Sequence, residues 1–274
     1  MSFENKYDKA KSDFEAVLYR FADGISAPRT LKDAMLYALK SGGKRLRPVM
    51  LIEACRLFSE PDERVFKMAV AVECIHTYSL IHDDLPAMDN DDFRRGKPTV
   101  HRIFGEGMAV LAGDALLNLA YEILMALAGE GKEFVRAGAI IADACGSAGL
   151  IGGQSLDICD EMPDKSAMEY IYRHKTGDLI TAAITAGAAA GGADEEQFGR
   201  LRVYGENFGM AFQLTDDLLD KDEDKRSFVG MFGEQAARAA VAAGVAAAVE
   251  QAEALGADAG FFADLAKKTA DRKF

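Results

Sequence analysis

Apolar residues recur along this chain at helical intervals. Phe14, Val17, Leu18 and Phe21 fall at i, i+3, i+4 and i+7, one face of an amphipathic helix. Ser12, with Glu15 three residues on, carries the reciprocal capping signature that predicts the start of that helix. Thr30 predicts the cap of a second helix whose Leu31, Met35 and Leu39 share a side, and Ser41-Gly42-Gly43 predicts its stop, because glycine takes the left-handed backbone of a helix end at little cost. Two apolar runs then lead up to acidic clusters: Ala69, Val70, Val72, Ile75, Leu80 and Ile81 before position 83, and Phe208, Met210, Phe212 and Leu214 before position 216. Alternating β-branched runs bounded by turn residues, the mark of strands, are absent. None of the six prolines follows Pro163, so the last 111 residues lack the strongest helix breaker, and Ala-rich tracts such as 236–248 favour helix intrinsically. No linker, composition shift or repeat period divides the chain. The pattern predicts an all-α fold, as one domain over residues 1–274.

Composition narrows the function more than the fold. The 274 residues are 49% apolar and 28% charged, which excludes intrinsic disorder. A net charge of −12 argues against a broad nucleic-acid-binding surface, so an anionic ligand needs either a local basic patch or bound metal. The longest uncharged stretch, Leu179 to Ala193, has 15 residues and falls short of a membrane span. The first residues are polar with an early acid, which indicates a cytoplasmic protein. Cys55, Cys74, Cys145 and Cys159 form no CxxC pair and read as reduced thiols.

The candidate chemistry lies in the acidic clusters and the basic residues around them. Asp83-Asp84 is followed by Asp89, Asp91 and Asp92, then at once by Arg94-Arg95-Gly-Lys97. Pro86 predicts a distortion that brings Asp89 back toward Asp83 by a bulge rather than by helical spacing. In the second cluster Asp216 and Asp220 are four apart and stack on one helix face, with Asp217 beside them; like charges there repel unless a cation lies between them. Acid-rich stretches are ordinarily solvated helix faces. Here each ends an apolar helix, which points its carboxylates at a cavity. Mg²⁺ suits such a place, because it takes oxygen ligands, one or two carboxylates per ion, and completes its shell with water and substrate phosphate. Gly42-Gly43-Lys44-Arg45-Leu46-Arg47-Pro48 offers three cations on a constrained loop, although it is no P-loop, since Arg45 stands where Ser or Thr is required. Arg94-Arg95 and Lys175-Thr176 supply further sites for phosphate.

These motifs, with His76 to Asp89, Gly153-Gln154, Lys175-Thr176-Gly177 and Phe212-Gln213 to Asp220, resemble in order and spacing the trans-isoprenyl diphosphate synthases, above all the bacterial farnesyl diphosphate synthase type. The likeness runs from about residue 30 to 233. It implies a helical bundle around a deep central cavity, a homodimer, and Mg²⁺-dependent condensation of isopentenyl diphosphate with an allylic diphosphate, three ions being held with substrate bound. Carried over by position, Asp83, Asp89 and Asp216 are implied Mg²⁺ ligands, with Asp84, Asp217 and Asp220 in or beside the shell. Lys44, Arg47, His76 and Arg95 are implied for isopentenyl diphosphate, and Arg94, Lys175, Thr176 and Gln213 for the allylic diphosphate. Tyr78 and Ser79, five and four residues before Asp83, are the expected limit on product length, and a ring at 78 favours C15 over C20.

The chain departs from the family after Asp220, where a loop of some twenty residues is replaced by Lys221 to Arg226. Lys225 is the nearest match to the lysine that closes that loop. Other readings stay open on the sequence: a geranylgeranyl diphosphate synthase, a class I terpene cyclase sharing the first cluster, and a catalytically silent partner subunit. Glu73-x-x-His76 suggests a di-iron protein, but that architecture needs two such pairs and only one is present.

Overall fold

A computed structural model describes residues 2–159, 164–219 and 227–270, and these are helical apart from one short hairpin and the connecting turns. The first helix, α1 (Phe3–Asp23), is capped by Ser2, whose hydroxyl accepts from the Asn5 amide at 3.3 Å. It therefore begins ten residues before the Ser12/Glu15 signature. Ser12 lies inside the helix, and Glu15 is engaged by Arg45 instead. In α2 (Arg29–Leu39) the cap position is Pro28, with Thr30 the second helical residue, and Met35 and Leu39 are buried as the periodicity predicts. After α2 the backbone turns through Gly42 and Gly43, both at positive φ.

Two helices join the halves of the core. In α3 (Leu46–Arg56) every residue from Pro48 to Cys55 is buried; Leu51 and Ile52 pack with α1 and α4 (Glu63–Asp83), whereas Val49 and Met50 face the opposite side. α10 (Asp178–Gly191) behaves likewise, with Leu179 and Ala183 in one cluster and Ile180 and Ile184 in the other. A helix that is apolar all round belongs in the interior, which is why Leu179 to Ala193 carries no charge. Between these two helices in sequence come α5 (Val100–Phe104), α6 (Glu106–Ala128), α7 (Lys132–Ala144), α8 (Leu150–Asp157) and α9 (Lys165–Ile171). α11 (Glu195–Leu219), α12 (Phe228–Phe232), α13 (Glu234–Ala254) and α14 (Gly260–Ala270) complete the second half, where Tyr204 and Phe208 are fully buried against Phe262.

Two features differ from the sequence-based expectation. A hairpin, β1 (Phe93–Arg94) with β2 (Lys97–Pro98), pairs Phe93 with Pro98 across a turn in which Arg95 and Gly96 both have positive φ. Two-residue strands are too short to show alternation, so the periodicity misses them. Separately, α6 is long and apolar enough by composition to cross a membrane, the one such helix among the described residues. It packs along α4 and α2, and it exposes Val110, Leu111 and Met125. Cys55, Cys74 and Cys145 are buried free thiols, and Cys159 is an exposed one.

Candidate active site

α4 carries most of the site. Asp62 caps its start by accepting from the Arg64 and Val65 amides, and the helix ends at Asp83. Beyond it the chain folds back so that the Asp89 amide donates to the Asp83 carbonyl at 2.9 Å, the return that Pro86 predicts. Asp83, Ser79, Tyr78 and His76 then line one wall of a cavity of about 410 Å³, faced by Arg47, Lys175 and Thr176 near its charged end. Leu117 of α6 and Leu150, Ile151 and Ile158 of the α8 region make much of the remainder apolar, with Asp114, Gln154 and Ser155 among them. His82, next to Asp83, shares its Nε2 with the Val110 carbonyl at 3.1 Å, which fixes α4 to α6 at the rim.

Lys175 and Thr176 reach the cavity from a π-helical turn, Tyr172–Gly177, between α9 and α10. Such a turn shifts the phase of the side chains that follow it. Lys175 donates from Nζ to Asp157 Oδ2 at 2.5 Å, with Asp83 and Asp89 close enough to hold its charge. Thr176 Oγ1 donates to Gln213 Oε1 at 2.8 Å, and Gln213 Nε2 donates to Asp217 Oδ1 at 3.3 Å. Asp217 Oδ2 accepts from the Tyr172 hydroxyl and from the Phe228 amide. One carboxylate thus ties the π turn to α11 and α12. Gly153 of α8 lies directly on the Lys175 backbone, where any Cβ would collide. Asp157 and Tyr172 are functional candidates that the sequence motifs do not include. Asp157 stands three residues after Gln154, one helical turn along α8, and that spacing was the available signal.

The remaining candidates are distributed around this cavity. Arg94 donates to Asp84 at 2.5 Å and to Asp91 at 3.3 Å, and Asp84 is buried beneath it. Together with Arg95 they line a separate niche beside the α4 terminus, bounded by Tyr37 and Thr77. The Arg95 guanidinium donates to the Gly42 carbonyl and lies against Gly43, joining the two basic loops. Lys44 is exposed, and its carbonyl accepts from Tyr7 at 2.7 Å. Asp216 lies within electrostatic range of Arg47. Asp220 and Lys225 lie outside the described residues. His101 is buried beside Thr99, and His174 pairs with Asp178 at 2.6 Å.

Burial governs the charge states. It pushes Asp83 up to about 6 despite the opposing Lys175, and raises Asp89 and Asp84 as well. Burial also pushes Arg47 down to about 10, with Glu73 and Asp216 opposing the fall, and His76 well below its ordinary value, helped by Arg47 and Arg95. His76 is therefore a neutral ring among cations at pH 7. Among the described residues no three carboxylate, thiol or imidazole groups form a closed metal cage. Asp83, which lines the cavity, and Asp89 within electrostatic range of it instead offer a partial set of oxygen ligands, which fits an ion that takes its other ligands from phosphate and water.

The chain matches the polyprenyl synthetase family over residues 28–260. It is 44% identical over 225 residues to a farnesyl diphosphate synthase of Geobacillus stearothermophilus, covering 80% of this chain and 76% of that one. The chain belongs to the polyprenyl synthetase family of trans-prenyltransferases. A chloroplastic geranylgeranyl pyrophosphate synthase of Catharanthus roseus is 46% identical over 221 residues, covering 79% of this chain and 60% of its own length. In three dimensions the chain superposes on a geranyltransferase of Legionella pneumophila with a TM-score of 0.91 at 34% identity, covering 98% of this chain and 96% of that one. An FPP/GFPP synthase of Zymomonas mobilis gives 0.90 at 35% identity, covering 98% and 100%. The all-α bundle expected from the sequence is thus that of the family.

Gly153→Ala tests how closely the π turn must be held. The added methyl displaces the Lys175 backbone, and a displacement near 1 Å at reacting groups costs about a hundredfold in rate. Turnover should fall by that order while the far-ultraviolet helical signal is kept. Wild-type turnover in Gly153→Ala would show that the contact does not set Lys175.

Proposed function

We propose that this protein condenses isopentenyl diphosphate with dimethylallyl or geranyl diphosphate to give farnesyl diphosphate, as a single domain over residues 1–274. The observation that carries the reading is the gathering of Asp83, Asp89 and Asp157 around Lys175, with Asp83 and Lys175 lining a largely apolar cavity that Tyr78 also lines. Mg²⁺, three ions with substrate bound, supplies the positive charge that makes diphosphate a competent leaving group. Asp83, Asp89 and Asp216 would hold it, with Asp84 and Asp217 behind them.

The chain's own residues do the rest. Lys175, Thr176, Gln213 and Arg94 hold the allylic diphosphate, and Lys175 stabilises the charge that develops as the carbon–oxygen bond breaks. Lys44, Arg47, His76 and Arg95 hold isopentenyl diphosphate with its double bond toward the allylic carbon. The double bond attacks, and a proton is then lost to the released diphosphate, so no side chain is required as base. Leu117, Leu150 and Ile151 keep water from the cation. Two copies are expected to pair through the apolar residues that α6 exposes, together with Val135 of α7. Lys225, the nearest match to the loop-closing lysine, would contribute only weakly to holding the diphosphates, because the segment after Asp220 is short.

Incubation of the purified protein with Mg²⁺, isopentenyl diphosphate and geranyl diphosphate should give linear C15 diphosphate. A C20 product would assign the geranylgeranyl reaction, a cyclic hydrocarbon the cyclase, and no turnover a silent subunit.

Proton and metal should compete at Asp83. Its folded value of about 6 lies above the ordinary 3.8, so burying the charged form costs stability. That cost is absent below about pH 4 and complete above about pH 6. The rise in melting temperature on adding Mg²⁺ and diphosphate should therefore be large at pH 8 and shrink below pH 6. An equal rise at pH 5 and pH 8 would exclude Asp83 as a ligand.

Tyr78 is buried in the cavity wall with its hydroxyl unpartnered. Tyr78→Ala should shift the product beyond C15 on chromatography, and an unchanged product length would remove Tyr78 from the floor.

A further inference from the structure

Beside the residues assigned to isopentenyl diphosphate lies a buried charge network. Arg45 has a fully buried side chain on a left-handed backbone, φ 54°. It donates to Glu15 of α1 at 3.1 Å, to Glu73 of α4 at 2.5 Å and to the Leu39 carbonyl at the end of α2 at 2.7 Å. A guanidinium can serve three acceptors in different directions; an ammonium on a flexible stem cannot hold the same fork. Burial alone would lower the Arg45 pKa, and Glu73, aided by Glu15, more than reverses this, so the guanidinium stays charged.

Glu73 has more to give. Its Oε1 accepts from Arg45, while its Oε2 is buried without a partner. Arg47, two residues beyond Arg45, has a buried Nε that is likewise unpartnered, and the negative charge of Glu73 does more than that of Asp216 to keep the guanidinium protonated. A buried acceptor and a buried donor of opposite charge, each unsatisfied and within electrostatic reach, are complementary. His76 lies one turn beyond Glu73 on the same helix.

We propose that Glu73 is a positioning residue for isopentenyl diphosphate: it anchors the Gly42–Pro48 loop through Arg45 and receives Arg47 Nε, so that the outer nitrogens of Arg47 face the diphosphate. The inference rests on the assignment of Arg47 to that substrate. It gives the Glu73-x-x-His76 spacing a use other than metal binding.

The test is steady-state kinetics on the full chain with each substrate varied in turn, alongside melting temperatures. Glu73→Gln keeps the shape and removes the charge, and Arg45→Lys keeps the charge and removes the fork. Each should raise KM for isopentenyl diphosphate roughly tenfold, with KM for geranyl diphosphate and kcat within about twofold. Folded variants whose isopentenyl KM is unchanged, or whose two KM values rise together, would overturn the proposal. Should both variants fail to fold, a structure of the wild-type protein with isopentenyl diphosphate decides: Arg47 Nε on Glu73 supports the proposal, and Arg47 Nε on any other acceptor overturns it. If Arg47→Ala leaves the isopentenyl KM of an active enzyme unchanged, the assignment of the pocket fails instead, independently of Glu73.

Discussion

α4 is enclosed on most of its circumference, by α3 and α1 on one side and α6 on another, and the rest of the site depends on that burial. A helix so enclosed cannot turn or slide without opening the core, so Glu73, His76, Tyr78, Ser79 and Asp83 hold fixed positions over ten residues, a rise of about 15 Å. The same enclosure removes water from those side chains. Desolvation is the leading influence on Asp83, Asp84, Arg47 and His76 alike. It raises acids and lowers bases, so any charge these groups hold comes at a cost.

The polar groups fall into three mutually supporting ties. Arg94 holds Asp84, Lys175 holds Asp157, and Arg45 holds Glu73 and Glu15. Each joins separate elements, and each leaves a polar neighbour lining the cavity: Asp83 beside Asp84, Thr176 beside Lys175, Arg47 beyond Arg45. Removing one partner of the buried Arg45–Glu73 pair costs about 3–5 kcal/mol, because it strands the other charge without water, and the partly exposed Lys175–Asp157 and Arg94–Asp84 pairs are worth less. The ties therefore act on geometry as much as on stability. The π turn adds to this, since its displaced phase places Lys175 and Thr176 on the cavity side while His174 is taken up by Asp178.

The acidic clusters, the basic loop and the apolar helices leading to them were legible because each is contiguous in sequence and obeys a local rule: helix period, proline distortion, glycine turn. The return of Asp89 to Asp83 follows from Pro86 alone. The start of α1 was not legible, because the Ser12/Glu15 pattern satisfies the capping rule inside a helix that Ser2 already begins. Asp157 and Tyr172 were hidden for another reason. Asp157 is marked only by its helical spacing from Gln154 and Tyr172 by nothing in its motif, and each acquires its partner, Lys175 or Asp217, only when α8, the π turn and α11 come together.

By itself the sequence determined the helical class, the family and the inventory of charged groups, since periodicity and contiguous motifs need no tertiary contact to be read. Only the tertiary structure decided which of those charges share a dry cavity and which are spent on one another. Asp83 and Asp84 are adjacent in the chain, yet one faces the cavity and the other lies under Arg94. Lys44, Arg45 and Arg47 form one basic run, yet one is exposed, one is locked to two glutamates, and one lines the cavity. Neighbours in sequence point different ways once a helix or a left-handed turn fixes them, and the cost of dehydrating a charge depends on where it points.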